Sequence, residues 1–480
     1  MLFNSLEYIV FLPLVFLLYW FVFARKLNHQ NVLLLVASYV FYAWWSWKFL
    51  GLLVLITFLD YCYGFWVASE NPKKSKLFLW LSVINNLGIL AIFKYYNFFV
   101  VQFQSGLELL GFHTNPVLLK LALPIGISFY TFHGMSYVFD IYRGKQKPIR
   151  NFVDYAVFVS FFPLLVAGPI ERANHLLPQI QNPRKFSLQQ AVEGSKLILW
   201  GMFKKVVIAD TLAETADFAF NHYASLNGFA LLMGVLAFSF QIYGDFSGYS
   251  DIALGTAKLF GFELLSNFRF PYFSRDVAEF WRRWHISLSS WFKDYLYIPL
   301  GGSKQGKSRT IFNTFVIFIV SGFWHGASWN FIVWGAIHAL GFLPILLLNR
   351  NRHHLHDVVA QNSLWPSLTE LRQMITTFAF VSFAWIFFRA KDLHHALQYI
   401  QRMLMSFYQN PSQILNVPIG LSAIVYITVL LFGDWLLRRN ERSYPLNSYL
   451  LNLVLAGICC VYFIKQYLMG SNASFIYFQF

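Results

Sequence analysis

Two histidines stand in surroundings where an imidazole could do chemistry. His325 lies in residues 321–330, a short polar break between two apolar stretches, and His285 follows two arginines set between tryptophans. A buried imidazole tends to stay neutral at pH 7, and the neutral form is the one that a general base needs. A hydrogen-bonded core residue is the alternative for each, because a single histidine in apolar surroundings more often packs than reacts.

Two carboxylates also lie in apolar sequence. Asp245 and Asp251 are six residues apart, so they do not share one face of a regular helix. We predict that they end or break a span and pair with the arginine-rich segment that follows, and helix capping with ion pairing is the alternative to a functional role. Asn330, the Trp324 N–H and backbone amides are the open candidates for stabilising an oxyanion.

Residues 262–309, the cationic segment, hold eight basic and four acidic residues among many aromatic ones. Large apolar residues recur at intervals of 4, 4, 3 and 4 over residues 280–295, which predicts one helix with His285 on it and Ser274 as its cap. Such a helix can lie on the membrane surface, and it can attract an anionic, phosphate-bearing substrate; the two roles are compatible. The candidates for binding that substrate are Arg282, Arg283, Lys293 and Trp284.

The composition is that of a membrane protein. Of 480 residues, 57% are hydrophobic and 12% are charged, against about 25% charged residues in soluble domains. The net charge of +15 comes from basic residues dispersed over short loops, so we expect no nucleic-acid partner. Three cysteines, Cys62, Cys459 and Cys460, are too few for a disulfide framework or a zinc site, and we expect neither a metal nor a bound cofactor.

Apolar runs predict an all-α bundle of about 11 to 13 transmembrane or re-entrant helices, which we assign to a single domain of residues 1–480. The first run follows Glu7 and precedes Arg25 and Lys26, which predicts an N-terminus outside the cell and a first loop inside. The runs are residues 9–24, 32–47, 49–68, 77–93, 117–139, 155–170, 197–208, 228–244, 311–348, 373–388, 418–437 and 449–464.

The run of residues 311–348 is too long for one crossing. Its 38 residues contain no Asp, Glu, Lys or Arg, and one straight helix of that length would measure about 57 Å against a hydrocarbon core of about 30 Å. Glycines and small polar residues gather at residues 321–330, and basic residues flank both ends of the run. We therefore predict a hairpin whose break lies deep in the bilayer or near its far face.

Several catalytic motifs can be set aside. Residues 301–308 match the P-loop pattern G-x-x-x-x-G-K-S, but Pro299 precedes them and the uncharged run follows, so we interpret them as a basic cytoplasmic loop. The sequence has no G-x-S-x-G elbow, no His with an Asp five positions later, and no H-E-x-x-H. These absences remove the common hydrolase and metalloprotease patterns.

Two linked motifs, Trp-His at residues 284–285 and Trp-His-Gly at residues 324–326, are specific together although weak singly. With them, the chain resembles the membrane-bound O-acyltransferase (MBOAT) family, in its bacterial alginate O-acetyltransferase-like branch. The resemblance covers essentially the full length. The other matching stretches are residues 1–8, 167–172, 241–251, 267–272, 280–289, 297–303 and 475–480.

The resemblance implies a multi-span bundle with a cytoplasmic-side funnel and amphipathic surface helices, in the cytoplasmic membrane of a bacterium. It implies that His325 is the catalytic residue and that His285 accompanies it. The implied reaction moves an acetyl group from acetyl-CoA, a co-substrate, toward a polysaccharide outside the membrane. Members of this branch usually work with an SGNH-type partner protein on that outer side.

Two other functions stay open. One keeps the enzyme but transfers D-alanine from a carrier protein to a cell-wall polymer. The other is a transporter of a glycan or an acyl group, since intramembrane polar residues occur in that class too. Transporters often show matching broken helices in two halves, whereas this chain shows one break beside the cationic segment, which favours a single reaction centre.

Overall fold

The computed structural model describes residues 1–113, 115–166, 168–355, 357–409, 421–440, 448–469 and 475–476. Within these residues all regular secondary structure is helical, which confirms the all-α class. In the described part of the chain, six helices are long and apolar enough to cross a membrane, so the prediction of a polytopic membrane protein is confirmed too. They are Trp47–Val67, Pro72–Leu109, Gly228–Leu259, Trp329–Leu347, Leu368–Arg389 and Tyr449–Leu468, and two shorter apolar helices are Leu6–Val22 and Ala423–Leu437.

The chain forms two compact units, and the first consists of Met1–Ser195 and Ala253–Leu265. The division falls inside two helices, α10 (Leu188–Met202) and α12 (Gly228–Leu259). The other helices of the first unit are α1 (Leu6–Leu17), α2 (Leu27–Ala43), α3 (Trp47–Val67), α4 (Pro72–Leu90), α5 (Tyr96–Leu109), α6 (Ile127–Tyr142), α7 (Phe152–Ser160), α8 (Phe162–Leu165) and α9 (Ala173–Gln181).

Helices of the first unit are joined by polar groups where apolar side chains alone would not set the register. Asp60 of α3 accepts hydrogen bonds from Asn86 (2.7 Å) and Ser82 (3.2 Å) of α4. Gly134 of α6 makes room for the same carboxylate, because a Cβ atom there would lie 1.9 Å from its second oxygen. A buried polar side chain thus fixes how three helices of this unit meet.

The second unit consists of Lys196–Ile252 and Ser266–Phe480. A π-helical turn, Phe203–Ala209, follows α10, and another, Lys293–Tyr297, follows α14. The remaining helices of this unit are α11 (Asp210–Asn221), α13 (Val277–Arg283), α14 (Ile286–Phe292), α15 (Lys307–His325), α16 (Trp329–Leu347), α17 (Leu368–Arg389), α18 (Leu393–Met405), α19 (Leu421–Leu437) and α20 (Tyr449–Met469).

Two predicted runs differ clearly from the helices found, and a third is described only in part. The run of residues 117–139 is helical only from Ile127 onward, and that of residues 155–170 is divided between α7 and α8. Residues 418–420 of a later run lie outside the described residues. So do Ala167 and residues 477–480 of the stretches on which the resemblance depends.

A buried ion cluster holds the core of the second unit. Lys205 lies 2.7 Å from Asp210 and 2.8 Å from Asp245, and all three side chains are buried. The second oxygen of Asp245 accepts a hydrogen bond of 2.6 Å from the backbone N–H of Ile476. Phe475 and Ile476 are themselves buried. Charges removed from water need such pairing, so the cluster ties residues 475–476 into the unit.

Candidate active site

His325 is the last residue of α15, and α16 begins four residues later, which confirms the predicted hairpin. Glycines let the two helices pack closely. A Cβ atom on Gly322 would lie 2.2 Å from the carbonyl oxygen of Phe331, and one on Gly335 would lie 2.2 Å from that of Phe318. The position of His325 therefore depends on backbone contact between the helices, which no larger residue would permit.

Aromatic rings surround His325, whose exposed fraction is 3%. Its ring meets Trp334 edge-on, with centroids 5.2 Å apart at 88°, and lies 5.2 Å from Phe388 and 4.8 Å from Trp324. Rings on several sides leave the imidazole little freedom to turn. A fixed orientation is what a general base or a nucleophile needs.

His285 lies between two short helices, so the prediction of one helix over residues 280–295 is wrong. α13 ends two residues before it, α14 begins directly after it, and its own backbone is left-handed with a φ of 42°. The preceding loop causes the break. Asn267 accepts hydrogen bonds from the Ile286 N–H (2.9 Å) and from the Ser287 hydroxyl (2.6 Å).

Trp324 connects the two histidines. Its ring centroid lies 6.1 Å from that of His285 and 4.8 Å from that of His325. His285 is fully buried and also meets Phe246 edge-on at 4.7 Å. The structure thus brings both predicted histidines to one aromatic cluster, and their catalytic roles stay predictions.

Trp284 lies inside this cluster and not at a surface. It is 1% exposed, stacks on Phe280 with centroids 5.6 Å apart, and lies 5.1 Å from Trp385. Its aromatic contacts are those of a core residue. The predicted part in binding a donor finds no support in this position.

Glu279 organises the start of the cationic segment. The side chain of Asp276 caps α13 by accepting from the Glu279 N–H at 2.7 Å, so the predicted cap at Ser274 is wrong. The Glu279 carboxylate lies between Arg275 (3.0 Å) and Arg283 (2.8 Å). Burial alone would raise the pKa of Glu279, but hydrogen bonds from Arg275 and the charge of Arg283 outweigh it and hold this pKa below its usual value.

An arginine cleft of about 510 Å³ lies beside this network. Arg282 donates to the carbonyl oxygens of Asn351 and His353, each at 2.9 Å, so part of its guanidinium is used to hold the loop after α16. More arginines than carboxylates line the cleft, which leaves it positive. Its charged lining residues are Arg269, Glu279, Arg282, Arg283, Asp357, Arg438 and Arg439.

A second space, the main cavity, has a volume of about 390 Å³ and lies against α13, α14, α15 and α16. Arg282 lines both the main cavity and the arginine cleft, and Lys293, an exposed residue, is its second cation. Ser321, one helical turn before His325 on α15, also lines it. Its remaining polar lining residues are Ser289, Ser290, Tyr297, Thr314 and Asn351.

Asp245 and Asp251 neither break a helix nor pair with arginines, so that prediction is wrong. Both lie inside α12, and their partners are Lys205 at 2.8 Å and Lys204 at 2.7 Å. The partners sit on the π-helical turn after α10, about forty residues earlier along the chain. Two consecutive lysines in an apolar run were the available signal for these ion pairs.

Asn330 joins two helices. Its amide nitrogen donates to the carbonyl oxygens of Phe387 (3.1 Å) and Ala390 (2.8 Å), at the end of α17. Both N–H groups of the side chain are therefore used by backbone carbonyls. Its predicted part in stabilising an oxyanion finds no support in this geometry.

Sequence reasoning missed His338, a third fully buried histidine of the second unit. Its Nδ1 accepts a hydrogen bond of 3.3 Å from the indole of Trp281, which lines the main cavity. The available signal was a Trp-x-x-x-His spacing, Trp334 to His338, which puts two aromatic side chains on one helical face.

The fold and site define a class of protein. A polytopic helical membrane protein carries two buried histidines in an aromatic cluster, one turn from a cavity with cations in its lining. The described residues contain no group of three His, Cys, Asp or Glu side chains that could hold a metal. Acid–base or nucleophilic group transfer is the chemistry that such a site can perform.

The chain belongs to the membrane-bound O-acyltransferase family, MBOAT, whose model matches residues 34–384. It is therefore an O-acyltransferase of the membrane. It is 40% identical to a probable alginate O-acetylase AlgI of Pseudomonas putida, over 93% of this chain and 90% of that protein. It is 36% identical to the peptidoglycan O-acetyltransferase of Helicobacter pylori, over 84% and 80%. It is 32% identical to the teichoic acid D-alanyltransferase of Streptococcus thermophilus, over 46% and 56%.

Proposed function

We propose that this protein takes an acetyl group from acetyl-CoA on the cytoplasmic side and passes it on for O-acetylation of a polysaccharide outside the membrane. One observation carries the proposal: the main cavity is lined by Arg282 and Lys293 and also by Ser321, one turn from His325. Cations suit the phosphates of a donor, and a cavity of about 390 Å³ is large enough for its thioester arm. The choice of an acetyl group and of a polysaccharide acceptor is based on the names of the relatives.

His325 is the proposed reacting residue. In one form, it takes the proton of an attacking hydroxyl and returns it to the departing thiolate, so that the thioester C–S bond breaks as the ester C–O bond forms. In the other form, its imidazole attacks the thioester carbonyl, the C–S bond breaks and the thiolate leaves with a proton; a hydroxyl then attacks the acetyl-imidazole, the N–C bond breaks as the ester C–O bond forms, and the hydroxyl proton passes to the imidazole. His285 polarises the thioester or orients the acceptor in either form.

The donor phosphates are assigned to the cationic residues near the cavity. Lys293 is exposed and Arg282 lines both spaces, whereas Arg283 is already paired with Glu279. We therefore place the main attraction on Lys293 and Arg282, with Arg283 supporting the fold around them.

The proposal includes a partner and a location. The acetyl group leaves the site toward an SGNH-type protein outside the membrane, which places it on the polysaccharide. The protein lies in the bacterial cytoplasmic membrane with its N-terminus outside, because basic residues follow the first run and no basic residue precedes it.

The central test is a His325→Ala variant, purified in lipid nanodiscs and given acetyl-CoA together with the SGNH-type partner and alginate or peptidoglycan fragments as the final hydroxyl acceptors. We expect release of CoA to fall at least about 100-fold, as for loss of a general base. His394→Ala changes an exposed histidine and is the matched control. Full activity in His325→Ala would overturn the assignment, and radiolabel on the quenched wild-type protein would identify the covalent form.

The donor site is tested by charge reversal at Lys293. Lys293→Glu should raise the Kd for acetyl-CoA about tenfold or more and make binding less sensitive to salt. Lys391→Glu reverses another exposed charge, on a different segment, and should leave the Kd unchanged. An unchanged Kd in Lys293→Glu would show that acetyl-CoA does not bind in this cavity.

D-alanyl transfer is the second candidate, favoured by the similarity to the Streptococcus thermophilus D-alanyltransferase. The covered share of each chain is smaller than for the O-acetyltransferases. Parallel trials with acetyl-CoA and with a D-alanyl carrier protein separate the two functions by which donor loses its acyl group.

A further inference from the structure

A wall of aromatic rings separates the main cavity from His325. Trp281 and Phe318 line the cavity, and His325 does not. Trp334 contacts both sides of the wall: its centroid lies 5.6 Å from that of Trp281 and 5.2 Å from that of His325. A donor arm in the cavity therefore meets the Trp281 indole before it reaches the imidazole.

Trp281 is the ring of this wall that faces the cavity. It is half-buried and lines the space, whereas Trp334 is fully buried. Its indole lies at the boundary of the cavity, in room that an acyl chain could otherwise occupy, and it packs against Phe318 with centroids 5.4 Å apart. The size of this one side chain thus limits the depth of the cavity.

His338 holds this indole in place. The Trp281 Nε1–H donates to His338 Nδ1 at 3.3 Å. An indole nitrogen can only donate, so Nδ1 must be the acceptor and the neutral ring carries its proton on Nε2. That nitrogen has no hydrogen-bond partner among the described residues. The imidazole also stacks nearly parallel to Phe280, with centroids 6.2 Å apart at 5°.

The hydrogen bond from Trp281 to His338 matters because it fixes the orientation of the ring that closes the cavity. A tryptophan against a cavity can rotate into the empty space, and a donor lost from its acceptor must then find another partner. His338 is fully buried on α16, so the acceptor itself is fixed. A substitution that removes the His338 acceptor would let the Trp281 indole rotate, although all the rings of the wall would still be present.

We propose that Trp281 determines the length of the acyl group that this site accepts, and that His338 is the positioning residue that keeps Trp281 across the cavity. This inference rests on the proposed function in one respect, that the main cavity receives the thioester arm of the donor. With the indole in place the site accepts a two-carbon acyl group and excludes longer ones.

The test is a binding series that does not depend on turnover. S-alkyl pantetheine thioethers with ethyl, butyl and hexyl groups carry the arm that both acetyl-CoA and a carrier protein would present. Binding to the full-length protein in nanodiscs is measured by competition with a fluorescent pantetheine analogue. Wild type should prefer ethyl over hexyl, and Trp281→Ala should shift that ratio at least about tenfold toward hexyl, as pocket size discriminates between chains.

Two further variants separate size from position. Trp281→Phe keeps a ring but loses the N–H, and His338→Phe keeps a ring but loses the acceptor. Each should shift the ratio in the same direction as Trp281→Ala but less, by about threefold. His338→Gln supplies an acceptor oxygen and should restore the wild-type ratio, which a merely structural histidine would not predict.

The ratio is a property of the folded fraction alone, so reduced stability does not mask it. An unchanged ethyl-to-hexyl ratio in Trp281→Ala would overturn the size assignment. Equal ratios in His338→Phe and wild type would overturn the positioning role. A wild type that prefers ethyl yet releases no CoA from acetyl-CoA would leave this inference standing while the proposed donor fails.

Discussion

The backbone of His285 adopts a left-handed conformation that residues with a side chain seldom take. Its φ is 42° and its ψ is 55°, at the point where α13 gives way to α14. A Cβ atom in this region costs roughly 1 kcal/mol or more relative to glycine. The position keeps a histidine despite this cost, which is consistent with a ring that is needed beside Trp324.

Paired substitutions at His285 separate the ring from the backbone. His285→Ala and His285→Gly both remove the imidazole, so both should lose acetyl transfer. His285→Gly should be more stable than His285→Ala by about 1 kcal/mol, because glycine relieves the left-handed strain. Thermal unfolding in detergent measures the difference, and equal or reversed melting temperatures would show that the backbone relaxes instead.

Glu279 predicts a response to acid. Its pKa is lower in the folded protein than its ordinary value of 4.5, for the reasons given above. Its contribution to stability is therefore complete above that value and is lost as pH falls through the folded pKa. Glu279→Gln should lower the melting temperature at pH 7, and the gap to wild type should narrow toward pH 3.5.

Glu193→Gln is the control for this pH series, because that carboxylate pairs with Lys258 at a half-exposed surface site. Surface pairs contribute at most about 1 kcal/mol. If the difference in melting temperature between wild type and Glu279→Gln stays constant over the same pH range, the Glu279 carboxylate does not titrate there.

For single residues, the sequence predicted a site position correctly where the neighbouring residues along the chain form a recognisable motif. His325 stands in a short polar break of an apolar run, His285 stands among the tryptophans and arginines of the cationic segment, and both lie in the aromatic cluster. His338 was missed because its neighbours along the chain are uniformly apolar. Asp245 was assigned to the wrong partner because Lys205 is near it only in three dimensions.

The hairpin of α15 and α16 is a structural element whose break could be predicted from the sequence alone. Its 38 uncharged residues exceed one crossing, so a break was required, and glycines marked the place. The interruption at residues 284–285 was not foreseeable in the same way. Helical spacing continues through it, and the loop at Asn267 that captures the Ile286 N–H is distant along the chain.

A glycine substitution tests how the hairpin positions its histidine. Gly335→Ala would place a Cβ atom 2.2 Å from the Phe318 carbonyl oxygen, so the helices must separate. We expect a loss of about 1 to 3 kcal/mol, as for overpacking, together with reduced acetyl transfer. Melting temperature and CoA release are the measurements.

Gly88→Ala is the matched control, since it lies inside α4 with nothing within 4 Å of the added carbon. Alanine favours a helix over glycine by up to about 1 kcal/mol, so this variant should be neutral or slightly more stable. Equal behaviour of the two variants would show that α15 and α16 are not in close backbone contact.

At the scale of the whole molecule, composition predicted the class and positive charge predicted an orientation. Low charge and long apolar runs are properties of the chain as a whole, and lipid imposes helices on them. The side on which each loop lies depends on a membrane, and it stays a prediction. Its basis is the absence of basic residues before the first run and their presence after it.

Cysteine labelling tests this orientation. Lys74→Cys and Ser46→Cys flank α3, a candidate span, and are placed singly in a background free of native cysteines. In intact cells a membrane-impermeant maleimide should label Ser46→Cys, and Lys74→Cys should react only after permeabilisation. The reverse pattern would invert the molecule, and labelling of both in intact cells would show that α3 does not cross.

The hydrogen bond from Ile476 to Asp245 has a consequence for synthesis. Asp245 leaves the ribosome long before residue 476. Its first oxygen can pair with Lys205 at once, whereas its second oxygen has no Ile476 N–H to accept from until residue 476 is made. Chains emerge N-terminal part first, so the second unit cannot complete its ion cluster until residue 476 has been made. A chain released before residue 476 would lack this N–H and would leave one oxygen of Asp245 without its hydrogen-bond donor, a difference that quality control could detect.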